Sequence, residues 1–168
     1  MDCPEDARRL FKGQSKRALA QQIWEILRLM EIYFTVPGKI VPKQSTRFGQ
    51  HGAYPSTRVK TYAEHVKACY LAEYPFQKMA WEDKAIPLQI VINVYFEIPK
   101  SDSKKNKLLK LLHGFPTKVP DVDNCTKSIL DATKGLIYPD DAQIVRQTTN
   151  KLWSENAGVE VTIRDIER

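Results

Sequence analysis

Five aspartates are concentrated between residues 121 and 141 of the 168-residue chain. Asp121 and Asp123 are separated by one residue, Asp131 follows, and Asp140 and Asp141 are adjacent. Carboxylate oxygens are the ligands that Mg²⁺ prefers, and a bound Mg²⁺ can lower the pKa of a water and stabilise the charge that develops when a phosphodiester is cleaved. The spacing therefore indicates a magnesium site formed by Asp121, Asp123 and one of the Asp140/Asp141 pair.

The alternative is that these aspartates are structural. Asp is common as a helix cap and in turns, so either cluster alone would favour caps at residues 121–123 and a turn at 140–141. Their concentration in an otherwise basic chain favours the metal site. A calcium EF-hand fits poorly, because Thr126 stands at the loop position that needs glycine and Ala132 at the position that needs glutamate.

The charge of the chain is unevenly distributed. The net charge is +6, but residues 121–141 carry five aspartates against two lysines and contribute −3, so the remaining residues contribute +9. A basic surface suits a polyanion, and contacts to backbone phosphates position DNA without reading its sequence. The cations expected to make such contacts are Lys39, Lys43, Arg47, Arg58, Lys60 and Lys118. For the first five of these cations, the alternative is an ordinary solvated loop.

Composition limits the class of protein. Hydrophobic residues are 42% and charged residues 27%, which is typical of a globular chain, and the length suits one domain. The three cysteines form no CxxC pair, so zinc fingers and disulfide scaffolds are excluded and a cytoplasmic location is expected. No segment approaches the roughly 20 apolar residues of a membrane helix.

Hydrophobic periodicity predicts an α+β fold with a small mixed, largely antiparallel sheet of about four strands and packed helices. A helical N-terminal extension over residues 1–30 precedes one domain over residues 31–168. Within that domain the predicted elements are a strand over 32–36, a long loop, a helix over 57–74, a strand over 88–98, a short helix over 107–112, a helix over 122–135, and strands over 144–151 and 158–164. The last two are expected to form an antiparallel hairpin.

The helix after residue 121 separates core-facing side chains from exposed ones. At about 100° per residue, Cys125 and Ile129 fall on the apolar arc, whereas Asp123, Lys127 and Asp131 fall on the other, one turn apart. The Asp140/Asp141 pair precedes a strand, so it can return beside the helix start if that strand lies next to the helix.

Several motifs resemble, in order and spacing, the RusA family of Holliday junction resolvases. They are Pro120-Asp121-Val122-Asp123-Asn124, Lys127, Ile129-Leu130-Asp131-Ala132, Gly135, Asp140-Asp141-Ala142-Gln143-Ile144-Val145 and Lys151. The segment from Val36 to Arg47 resembles the basic N-terminal loop of the family. The likeness extends in outline from residue 31 to 166 and is strongest from 119 to 151.

The resemblance implies a Mg²⁺-dependent endodeoxyribonuclease that resolves four-way junctions in DNA recombination and repair. It implies that Asp121, Asp123 and Asp141 are the magnesium-binding catalytic carboxylates, with Asp140 as a further metal ligand and Lys127 as the catalytic lysine. A homodimer with one site per subunit is also a family expectation and would match a junction with two symmetry-related strands to cut. Bacterial or phage origin is plausible for such a protein.

Two other functions remain open at this point. One is a non-catalytic module that binds branched DNA and uses its acids structurally. The other is a different metal-dependent phosphoryl-transfer enzyme that uses the Asp121/Asp123 pair. The complete set of family carboxylates favours the nuclease over both.

Overall fold

The computed structural model describes residues 31–43, 47–49, 52–54, 56–76 and 79–166, with the backbone alone described at 47–49 and 52–54. The predicted helical extension over residues 1–30 lies outside the described residues. The strands are β1 (Glu31–Pro37), β2 (Arg47–Gly49), β3 (Gly52–Tyr54), β4 (Leu88–Glu97), β5 (Ile144–Ser154) and β6 (Gly158–Asp165). The helices are α1 (Thr57–Glu73), α2 (Lys104–His113) and α3 (Val122–Thr133), and a 3-10 turn covers Asp141–Gln143.

Four of the strands form one mixed sheet in the order β1-β6-β4-β5. β4 and β5 are parallel, while β6 runs antiparallel to β1 and to β4. The sheet is backed by helices and the fold is α+β, so the predicted fold class is confirmed.

The predicted hairpin between the last two strands is wrong. β6 pairs with β1 and β4, and β5 pairs with β4 on the far side, so β4 lies between the two strands expected to be neighbours. Burial explains the order: β6 alternates buried and half-buried residues as an inner strand does, whereas β5 is largely exposed from Val145 to Thr148 and forms an edge.

Two further elements differ from expectation. The predicted long loop contains the short β2–β3 ladder, in which Arg47 pairs with Tyr54. The short helix predicted to start at residue 107 begins at Lys104, because the Ser103 hydroxyl accepts a hydrogen bond from the Asn106 amide at 3.2 Å and caps the helix there.

The core lies between one face of the sheet and the helices α1 and α3. Alternate residues of β1 and β4, such as Phe34 and Ile90, point into it, and α1 contributes Tyr70, whose ring meets Phe34 edge to face at 5.6 Å. From α3, Cys125 and Ile129 are fully buried. Each large apolar side chain buried in this way stabilises the fold by about 1.5–3 kcal/mol, so the apolar arc holds α3 against the sheet.

Polar contacts fix the position of α3 along β5. The Thr126 hydroxyl donates to the Val122 carbonyl at 2.9 Å and therefore accepts from Thr149 of β5, whose oxygen is 2.7 Å away. On its other side, Ser128 donates to the Val41 carbonyl at 2.7 Å. None of the helices in the described ranges is long and apolar enough to cross a membrane.

Replacement of Ile90 by Ala in the central strand β4 should lower the free energy of unfolding by about 2–5 kcal/mol, because it leaves a cavity where the side chain is fully buried. Urea denaturation followed by circular dichroism measures the change. Val145→Ala, on the exposed edge strand, is the matched control and should change stability by less than about 0.5 kcal/mol. Equal losses in the two variants would contradict this burial pattern.

Candidate active site

Asp121 stands at the N-cap of α3 but does not cap it. Its backbone is extended, with φ −68° and ψ 151°, and its carbonyl accepts from the Cys125 amide at 3.1 Å, while its side chain makes no cap hydrogen bond. The residue is exposed and stands next to the positive end of the helix. Capping therefore does not account for Asp121.

Asp123 and Lys127 lie one turn apart on the exposed side of α3, as predicted. Lys127 Nζ is 3.4 Å from Asp123 Oδ2, and the two side chains are 61% and 63% exposed. An exposed pair at this spacing stabilises a helix by only about 0.3–0.5 kcal/mol. The contribution of this pair to stability is therefore too small to explain why either residue is present. Both side chains are exposed and accessible to a ligand.

Lys118 and Lys151 add two cations close to the helix start. Lys151 Nζ donates to the Lys118 carbonyl, and the Lys118 ammonium lies 4.7 Å from the ring centroid of Trp153. Burial raises the pKa of the Cys125 thiol to about 11, and the charges of Lys151, Asp121 and Asp123 also act on it. Cys125 is thus a core residue with its thiol protonated, and the charges of Lys151 and both acids reach it from the helix start.

The pair Asp140 and Asp141 lies at the other end of α3. Lys134, the C-cap residue of that helix, places its Nζ 3.2 Å from Asp140 Oδ1 and 3.6 Å from Asp141 Oδ2. α3 has 12 residues. At about 1.5 Å per residue, its two ends are separated by about 18 Å. β5 does lie beside the helix but runs antiparallel to it, so Asp140 and Asp141 do not return to the helix start.

Asp140 and Asp141 have different surroundings. Asp140 forms a capping box with Gln143 and accepts from the Ala142 amide at 3.2 Å; that amide and Lys134 hold the pKa of Asp140 below its usual value. Asp141 Oδ1, in contrast, is a buried atom with no hydrogen bond of normal length among the described residues, although the Asp141 carboxylate interacts with the Tyr138 hydroxyl. The turn therefore uses Asp140 structurally, whereas Asp141 faces Lys134 and Tyr138.

The two acidic pairs are not joined within the chain. Across the described residues, no group of three or more carboxylate, histidine or cysteine side chains is close enough to hold one ion. Asp121 and Asp123 lie at the helix start, and Asp141 lies near the helix end. The roles assigned to them from the sequence remain predictions.

Three of the predicted DNA-binding cations share one cleft. Lys39, Arg58 and Lys118 line a cavity of about 680 Å³, together with Lys100, which sequence reasoning missed. Val119 and Pro120 also line it, and the next residue is Asp121. We call this cavity the basic cleft.

The other predicted cations lie elsewhere. Lys60 is on the exposed side of α1, and Lys43 forms an ion pair with Asp131 of α3. Arg47 is in β2, and its side chain lies outside the description. Lys151 belongs to the motifs quoted from the sequence but was not predicted as a site residue, and Trp153 was missed. The signal for Trp153 was the period of two in β5, which puts it on the same face as Thr149 and Lys151.

Comparison with known proteins identifies the family of the chain. Residues 37–164 match the family described as Endodeoxyribonuclease RusA. The chain is also 34% identical over 142 residues to the uncharacterized protein YqaN of Bacillus subtilis (strain 168), and the alignment covers 80% of this chain and 96% of that protein. The class is therefore that of DNA-cleaving nucleases. The chain belongs to the RusA endodeoxyribonuclease family.

Replacement of Lys134 by Ala should raise the pKa of Asp140 towards its usual value, because the nearest cation is removed while the Ala142 amide stays. Carboxyl carbon shifts in an NMR pH titration measure it. The depressed pKa contributes stability above the usual carboxyl pKa, and that contribution is lost as pH falls through the depressed value; the variant should lose less on acidification. Lys127→Ala is the control and should leave Asp140 unchanged. An unaltered Asp140 titration in Lys134→Ala would contradict the ion pair.

Proposed function

We propose that this chain is a Mg²⁺-dependent, structure-specific endodeoxyribonuclease that resolves Holliday junctions by phosphodiester hydrolysis in DNA recombination and repair. The observation that carries the proposal is the helix start. In a chain of an endodeoxyribonuclease family, two aspartates without a capping role stand beside a cleft lined by four cations. Acids for a metal and cations for phosphates are adjacent there, as hydrolysis of a polyanion requires.

The half-site of Asp121 and Asp123 fits Mg²⁺. This ion demands octahedral oxygen coordination, keeps several waters, and is commonly held by one or two carboxylates together with phosphate oxygens of the substrate. Two exposed carboxylates, neither engaged in a cap, offer such a set. When bound, the ion would supply Lewis-acid stabilisation and an activated water. Asp121 and Asp123 would hold it beside the scissile phosphate.

Different cations would bind different phosphates of the DNA strand. Lys127, one turn along from Asp123, would contact the scissile phosphate and offset its charge. Lys39, Arg58 and Lys118 would bind flanking phosphates from the basic cleft, and Lys60 would extend that surface along α1. Lys43 has to leave Asp131 before it can contact DNA.

Asp141 requires a second copy of the chain if it is to join the same site. Because α3 separates it from Asp121 and Asp123 by about 18 Å, one chain cannot bring the three carboxylates to one ion without rearrangement. In a two-fold dimer, Asp141 of each subunit would complete the half-site of the other. A homodimer of this kind would also present two equivalent sites to the two strands of a junction.

A non-catalytic module that binds branched DNA remains the second candidate. The observation that favours it is the same separation of the acids, since no third ligand joins Asp121 and Asp123 within the described part of the chain. Cleavage assays separate the two candidates, because the module would bind a junction and leave it intact with every divalent metal.

With Mg²⁺, the protein should convert a synthetic four-way junction into paired nicked duplexes, and EDTA should abolish cutting. Asp123→Asn should bind the junction and cut it at least about 100-fold more slowly, equivalent to about 2.7 kcal/mol in the barrier, because one ligand of the ion is lost. Single-turnover gel assays measure the rate.

Asp131→Asn is the matched control for that variant. Asp131 lies two turns further along the same exposed side of α3, and its substitution should change the rate by no more than about threefold. Undiminished cutting by Asp123→Asn, or cutting in EDTA, would contradict the proposal.

Mixed dimers test whether Asp141 acts across the dimer. Each single variant, Asp123→Asn or Asp141→Asn, should be inactive. When both are coexpressed with different tags and purified through both, one site of each mixed dimer receives all native carboxylates, so single nicks should appear. Inactive mixed dimers would show that the acids act within one chain and would contradict the shared site.

A further inference from the structure

The basic cleft has a composition that phosphate binding alone does not explain. Besides the exposed cations, apolar side chains line the cleft. Among them, Ile40 and Ile98 are buried and Val119 is 78% exposed. Glu97 is the one carboxylate in the lining, and its distance from Lys39 is 4.0 Å. A site for phosphate alone would need only the cations. Binding sites that combine apolar walls with a few polar groups are typical of organic ligands.

The size of the basic cleft excludes a duplex. A volume of 680 Å³ corresponds to a cube of about 9 Å on a side. A B-DNA duplex is wider than its own major groove, which measures about 12 Å, so it cannot enter the cleft. A single strand can enter, and a nucleotide that does so presents a phosphate to the cations and a base to the apolar wall. The base faces of all four nucleotides are apolar, so such binding tolerates any sequence.

One cation of the basic cleft is held in advance by aromatic rings. The Lys118 ammonium lies 4.7 Å from the ring centroid of Trp153 and 5.7 Å from that of Phe96. Contacts between a cation and the face of an aromatic ring are attractive, and a side chain already held in place loses less conformational freedom when a ligand binds. The cleft therefore has a preformed anion contact two residues before Pro120, at the edge of the site.

We propose that the basic cleft binds one unpaired nucleotide of a strand that leaves its duplex at a branch point, with its phosphate on the cations and its base against Ile98 and Val119. The inference rests on the proposed function, because the lining ends at Pro120 and the bound nucleotide would adjoin the bond that Asp121 addresses. Selection of branched over linear DNA follows, since a fully paired duplex has no nucleotide to offer the cleft.

The test measures binding of a fluorescent thymidine tetranucleotide in EDTA by anisotropy. Lys100→Glu should weaken binding by about tenfold, because one phosphate contact becomes a repulsion. Lys105→Glu is the matched control: it makes the same charge change on α2, outside the cleft, and should weaken binding by less than about twofold. Equal weakening by the two variants would reduce the effect to general electrostatics and overturn the inference.

A second variant changes the apolar wall of the basic cleft without changing its charge. Val119→Asn should remove the apolar face against which the base packs and so weaken tetranucleotide binding by about fivefold, while thermal unfolding stays unchanged because residue 119 is exposed. Undiminished binding by Val119→Asn would overturn the inference. Junction cutting by the unaltered protein with Mg²⁺ is measured separately. If the unaltered protein cuts normally and neither cleft variant weakens binding, only the proposal for the basic cleft is overturned. If binding depends on the cleft but the protein does not cut, the proposed nuclease function is overturned.

Discussion

The packing of α3 antiparallel to β5 is the constraint on which the site depends. The hydrogen bond between Thr126 and Thr149, together with the buried arc that includes Cys125 and Ile129, fixes the helix along the strand. Its start, with Asp121 and Asp123, is thereby placed beside Lys151 and the basic cleft. Its end is placed beside the Asp140/Asp141 turn, so the same packing separates Asp121 and Asp123 from Asp141.

The aspartates of this region have different structural roles, although the sequence alone does not distinguish them. Asp140 closes a turn, Asp131 pairs with Lys43, and Asp121 and Asp123 have little structural role. Functional groups often contribute little to stability, since their interactions are reserved for ligands. The concentration of negative charge noticed in the sequence thus divides into a structural part and a part available to a metal and a DNA strand.

Local features of the fold were predictable from the sequence, and long-range ones were not. The helix over residues 57–74 and the apolar arc of α3 depend on neighbouring residues, and both are observed. The insertion of β6 between β1 and β4 depends on pairing across the whole chain, which strand adjacency does not reveal. The predicted return of Asp141 to the start of α3 was wrong for the same reason, because it depends on the direction of β5 relative to α3. The contributions of Lys100 and Trp153 needed the three-dimensional cleft and the face of the edge strand.

The central claim is that the helix start holds the catalytic ion. It is tested most directly by replacing Mg²⁺ with paramagnetic Mn²⁺ and recording the NMR amide signals of the protein on a junction made uncleavable by modified linkages. The account predicts saturable broadening of the amides around Asp121 and Asp123, absent in Asp123→Asn. If the amide signals around Asp121 and Asp123 stay sharp while Mn²⁺ broadens others, or if their broadening persists unchanged in Asp123→Asn, the account is contradicted.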